Sequence, residues 1–175
     1  VEDHYKPRFA GDELPRNPVG LAVALADKLN TLCGMFGIGQ IPTGDKDPFA
    51  LRRHALGIIR MLIEAQLSLG LAELIGETFQ ALPSHLVQAH AEVNGFMKER
   101  LVGYLRDQGY SAQEVDAVVE ARPNLWVEFP KRLAAVRSFA AEHLLPRERR
   151  HIALRPIDRL RKHGARRVID GDAFA

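Results

Sequence analysis

Three short stretches carry groups that could do chemistry. Asp27 and Lys28 interrupt an apolar run that begins at Leu21. A carboxylate placed inside an apolar helix must find a partner or a task, and the expected task for Asp27 is an ion pair where two helices pack. Gly39 and Gly44 stand at the separation of a phosphate-cradling loop. That reading fails, because Asp45 intrudes before Lys46, Asp47 occupies the place of Ser or Thr, and a helical pattern rather than a strand comes before the loop. His54 follows Arg53, but no acid, cysteine or second histidine lies at metal-ligand spacing from it, so a solvated or hydrogen-bonded imidazole is expected. Nowhere does the order of residues offer a Ser/His/Asp set, a Cys/His cluster or a pair of carboxylates in contrasting surroundings. The expectation is no catalytic, cofactor-binding or metal-ligating residue in this chain.

The elements that hold these groups read as helices. Asn17 followed by Pro18 is a helix start, since Asn caps free N–H groups and proline loses nothing at the first helical position. The helix should run to about Met35, with Val19, Ala22, Val23, Ala26, Leu29, Cys33 and Phe36 as its stripe. Leu21, Leu25 and Leu32 make the opposite side apolar too, so burial nearly all round is expected. Asp47 and Pro48 should open a second helix, using Leu51, Ala55, Ile58, Ile59, Leu62 and Ile63 at helical spacing. A short helix from Leu71 to Leu82 should end at Pro83. From Ser84 the pattern is helical again, with Val93, Phe96, Met97, Leu101, Tyr104 and Leu105 inward and Gly109 closing it. Ser111 and Glu114 form a capping box ahead of Val115, Val118 and Val119, and Arg122-Pro123 stops that helix. Phe129, Leu133, Val136 and Ala140 make a last stripe. With no alternation of strand type, the fold class is all-α, expected in two packed units that divide between Pro83 and Asn94.

Composition agrees with a globular chain: 46% hydrophobic and 26% charged residues in 175. The single cysteine, Cys33, argues against a disulfide scaffold and suits a reducing cytosol. Asp27 and Lys28 break the apolar run after Pro18, so neither a membrane span nor a signal peptide is read there, and a cytoplasmic location is expected. The net charge of +2 hides a strong asymmetry. From Lys131 to Arg167 the sequence places twelve Lys or Arg against Glu142, Glu148 and Asp158, a local excess of nine positive charges. Such segregation points to a polyanionic partner, with a solvated helical surface as the alternative.

The run FAGDELPRNPVGLAVALADKL at Phe9–Leu29, followed by FGIGQIPTGDKDPFALRR at Phe36–Arg53, closely resembles the β subunit of bacterial heterotetrameric glycyl-tRNA synthetase. The resemblance implies that residues 1–83 are the last part of an HD-like helical domain, with Asp27 at the place of the final Asp of the HD metal motif. The upstream His and His-Asp pair of that motif are absent, and one Asp cannot hold a catalytic metal. Asn30 and His54 also depart from the family, which commonly has Asp and Ala there. Further on, FMKERLVGYLRDQGY at Phe96–Tyr110, VDAVVEARP and KRLAAVRSF resemble the start of that synthetase's anticodon-binding domain, of the type shared with arginyl-tRNA synthetase. Residues 84–175 are thus expected to be a partial anticodon-binding helical domain with a basic tail. Beyond Ala141 the likeness fades, and RERRHIALRPIDRLRKHGARR, with Pro156 inside it, departs from the family's pattern.

As an assembly that family joins glycine to its tRNA with ATP, two α subunits carrying the aminoacylation site and two β subunits recognising tRNA. The resemblance therefore implies part of a ligase, not itself catalytic, with tRNA and an α subunit as partners in a tetramer of two α and two β. ATP and Mg²⁺ would serve the holoenzyme only, and a longer polypeptide would extend on both sides. The candidate tRNA-binding cations are Arg106, Arg122, Lys131, Arg132 and Arg137. Trp126 and Tyr110 are the aromatic candidates for stacking on a base, against the alternative of core packing. Two other function classes stand beside this one: a metal-dependent phosphohydrolase of the HD type, and a helical interaction module without an RNA role.

Overall fold

The computed structural model describes residues 2–144, which form six α-helices and two short 3₁₀ turns. Among the described residues no strand occurs, only isolated bridges at Thr43–Lys46 and Gly70–Leu125. The helices are α1 (Pro18–Gly37), α2 (Leu51–Glu64), α3 (Leu71–Ala81), α4 (His90–Asp107), α5 (Ala112–Glu120) and α6 (Phe129–Leu144). The segment from Arg147 to Arg167, with Pro156 and most of the basic block, lies outside the described residues.

The start of α1 is set as its first residues predict: Asn17 Oδ1 accepts from the Gly20 N–H at 2.8 Å. Its burial is not. Val19 and Val23 are exposed at 74% and 47%, as are Ala22 and Ala26, while Ala24, Leu25, Lys28, Leu29, Leu32, Cys33 and Phe36 are buried. The helix packs against α2, α3 and α4 on one side only, so half of the expected stripe faces outward. Its 20 residues and mean hydropathy of 1.3 also make it long and apolar enough to cross a membrane, contrary to the reading that Asp27 and Lys28 rule this out. The core helix of a globular unit passes the same test, and the buried side of α1 lies in the core cluster.

Helix α2 begins three residues later than Pro48, after Ala50 in a left-handed conformation with φ of 53°. Asp47 still caps it from a distance, its carboxylate accepting from Leu51 N–H at 2.7 Å and Arg52 N–H at 3.0 Å. All six expected core residues of α2 are buried. Val93, Met97, Leu101 and Leu105 of α4 pack into the same cluster as Leu32, Ile58, Ile59 and Leu62, and Val115, Val118 and Leu133 close it. That single core continues through the stretch from Pro83 to Asn94. The described residues up to Val136 form one compact unit, and a second begins at Arg137.

The lead-in before α1 is tied down by charge. Asp3 accepts from Arg16 Nε at 3.0 Å and from Asn17 Nδ2 at 3.1 Å. Arg60 of α2 donates to the Asp12 carbonyl at 2.8 Å and grips Glu64 through two nitrogens, at 2.8 and 3.0 Å. Tyr104 of α4 donates to the same Glu64 at 3.1 Å. Burial and that carboxylate push the Tyr104 phenol up to about 12, so it stays a donor.

Candidate functional site

The capping box is formed: Glu114 N–H donates to Ser111 Oγ at 3.3 Å, and Ser111 N–H to Glu114 Oε2 at 2.8 Å. It fixes where α5 starts, and α5 in turn delivers Arg122 to the turn before α6. Arg122 is exposed and adopts φ of 45°, a left-handed conformation that turns the chain into buried Pro123. A cavity of about 460 Å³ opens beside it, lined by Asn94, Lys98, Arg122, Asn124, Trp126 and Phe129 among others. Its floor is apolar and its rim carries two cations and two amides. Lys98 was not among the cations singled out from sequence; its place one turn of α4 beyond Asn94 is what brings it to this rim, and no local signal marks that.

Arg106 is exposed in the last turn of α4, where a cation also complements the carbonyl end of the helix. Lys131 is exposed in the first turn of α6. Arg132 is engaged within the fold, its Nε and Nη2 donating to Glu128 Oε2 at 2.9 and 2.7 Å. Arg137 is exposed and belongs to the second unit. Of the aromatic candidates, Trp126 is only 8% exposed, with its ring edge-on to Phe129 at 6.1 Å between centroids. The core-packing alternative therefore describes Trp126, which belongs to the buried core cluster. Tyr110 is half-buried and packs against the core.

Around Asp27 the structure reverses the expected burial. Asp27 is partly exposed and lies 3.7 Å from His4 Nε2, whereas Lys28 is 4% exposed. Lys28 Nζ donates to the Tyr5 carbonyl at 3.3 Å. Its stem crosses α2 at Gly57, where a Cβ would stand 2.8 and 2.9 Å from Lys28 Cε and Cδ, so only glycine leaves that path open. Burial lowers the Lys28 pKa from its ordinary value. His54, one turn before Gly57, is half-buried, and its Nδ1 is shielded without a hydrogen-bond partner. Burial first, then the neighbouring Lys28 charge, lower its pKa. Among the described residues no group of three or more His, Cys, Asp or Glu side chains is placed to hold a metal.

The sequence matches the family described as glycyl-tRNA synthetase beta subunit over residues 1–120. The chain belongs to that family. It is 64% identical over 141 residues to the glycine–tRNA ligase beta subunit of Polaromonas naphthalenivorans (strain CJ2), covering 81% of this chain and 20% of the relative. The same-named protein of Thiobacillus denitrificans (strain ATCC 25259 / T1) is 63% identical over 142 residues, again 81% and 20%. That of Janthinobacterium sp. (strain Marseille) is 60% identical over 141 residues. The chain spans 20% of the length of these β-subunit relatives, and α1 to α5 fall within the matched residues of the family.

Proposed function

We propose that this chain is the portion of a glycine–tRNA ligase β subunit that helps to hold tRNA while the assembled enzyme attaches glycine to it. The observation that carries this reading is the 64% identity to a glycine–tRNA ligase beta subunit across 81% of the chain. On this reading residues 1–83 are the end of an HD-like helical domain and 84–175 a partial anticodon-binding domain. The α subunit is the protein partner, in a tetramer of two α and two β in the cytoplasm. ATP and Mg²⁺ serve the α subunit's aminoacylation site, and this chain contributes binding rather than bond-making.

Exposed cations on the polar sides of α4, the α5–α6 turn and α6 support contact with the RNA backbone. Arg106, Arg122 and Lys131 are the best placed, with Lys98 at the cavity rim; Arg132 and Arg137 complete the candidate set. Each phosphate contact releases counterions, so binding should weaken steeply with salt. Replacing one contacting cation by alanine should lower the slope of log K against log salt by roughly 0.7 to 0.9. The test is titration of the chain against glycine tRNA and an unrelated tRNA at two salt concentrations. Weak, salt-dependent binding with little preference between the two is expected, because stacking and base-edge contacts, not phosphates, read sequence. Binding that ignores salt, or that survives joint replacement of Arg106, Arg122 and Lys131 by alanine, would refute this face.

A further inference from the structure

The cleft between the first turn of α2 and the Tyr5–Arg8 segment is a place where several cations line one cavity, distant in sequence from the cations proposed for tRNA. It has a volume of about 300 Å³ and is lined by Tyr5, Arg8, Lys28, Ala50, Arg53 and His54, with Pro7. Three of these are cations and none is an acid. The nearby carboxylates have partners, and Asp12 is held by Arg8 itself, so Arg8 is an ion-paired cation of the cleft. Asp12 accepts from Arg8 backbone N–H and from Arg8 Nε, at 2.8 and 3.0 Å. Asp47 accepts from the first N–H groups of α2, and Asp27 faces His4.

Two groups in the cleft are under-used. Lys28 is almost wholly buried, yet Nζ, which has three hydrogens, reaches one backbone carbonyl and sits on no carboxylate. His54 Nδ1 is shut away from water with no partner. A buried ammonium and an unpaired ring nitrogen each cost free energy unless something in the site answers them. Gly57 leaves room for the Lys28 stem, since a side chain there would push the flexible end of that stem aside. Arg53, exposed beside His54, adds a planar fork suited to phosphate oxygens.

We propose that this cleft binds a phosphate group, with Lys28 and Arg53 supplying charge and His54 donating from Nδ1–H. The same chemistry is offered by inorganic phosphate, by a phosphomonoester and by the diester of an RNA backbone. The first two carry greater charge and suit a cleft in which Lys28 and Arg53 supply the charge, Arg8 being paired with Asp12.

The test is a titration of the 175-residue chain with inorganic phosphate at fixed pH and ionic strength, following the His54 ring nitrogens by NMR. Saturable displacement of the Nδ1 signal is expected. Arg53→Gln, on the surface, and Lys28→Met, which replaces a buried charge by an apolar chain of similar length, should each fold and each weaken phosphate binding by about tenfold or more. A second arm uses single-stranded RNA lacking terminal phosphates. A His54 response to both probes assigns a backbone phosphate, and a response to inorganic phosphate alone assigns a free phosphate or monoester. A His54 signal that neither probe moves overturns the proposal, as does unchanged phosphate affinity in folded Lys28→Met.

Discussion

Asp12 gathers part of the lead-in segment on one carboxylate. It accepts from Arg8 N–H and Nε through Oδ2 and from Glu13 N–H at 3.0 Å through Oδ1. The Arg8 side-chain hydrogen bond is the largest influence, and it holds the carboxyl at about 2 against an ordinary 3.8. A carboxyl whose pKa is lower folded than unfolded stabilises the fold above its unfolded value and loses that contribution as pH falls through the folded one. Thermal unfolding of the chain and of Asp12→Asn should therefore differ most above pH 3.8, and the gap should close as pH falls towards about 2. A gap that stays constant over that range would show that the Asp12 charge does not hold the segment. Lys28 teaches the complementary lesson at this scale. Residues 27 and 28 are both charged in an apolar helix, and a rotation of about 100° per residue is enough to put one at the surface and the other in the core.

At the scale of the element, α2 is a helix whose start is held by a residue outside it. Ala50 at its N-cap position offers no side-chain acceptor, and Asp47 supplies both hydrogen bonds to the first turn. Arg52 in turn donates from Nη2 to the Gly44 carbonyl, binding the glycine-containing loop to the helix it precedes. Asp47→Ala should therefore cost about 1 kcal/mol, the usual value of an N-cap. Urea unfolding checks this: the midpoint should fall at an unchanged slope. The capping box of α5 works by the same physics, but there the cap is adjacent to the helix, which is why residues 111–114 announce it so plainly.

At the scale of the molecule, helices before and after Pro83 share one apolar core. Leu101 of α4 is 1% exposed, in a cluster with Ile58 and Leu62 of α2 and Leu32 of α1. Truncating it leaves a cavity bordered by both groups of helices. Leu101→Ala should destabilise the unit by about 2 to 5 kcal/mol. Amide hydrogen exchange should show α1 to α3 and α4 to α5 losing protection together. Loss confined to α4 and α5 would mean that the Pro83–Asn94 stretch divides two independently folding parts.

The helical class, the starts of α1 and α5 and the inward face of α2 were legible from the order of residues, because caps and apolar periodicity act within a few positions along the chain. Asn17, Ser111 and the Ile58-Ile59-Leu62-Ile63 group each specify their element locally. The family was legible as well, since it rests on the order of residues alone. Which face of α1 enters the core was not: it is apolar on both sides, so periodicity offers two answers and the neighbours α2 and α3 select one. For the same reason Trp126 beside arginines reads as a stacking platform or a core residue, until its contact with Phe129 decides. The cleft of Lys28, Arg53 and His54 was also invisible along the chain, because Lys28 belongs to α1, Tyr5 to the lead-in and His54 to α2. Only the packing of α1 on α2, allowed by the missing side chain of Gly57, brings a buried cation and an unpaired imidazole to one place.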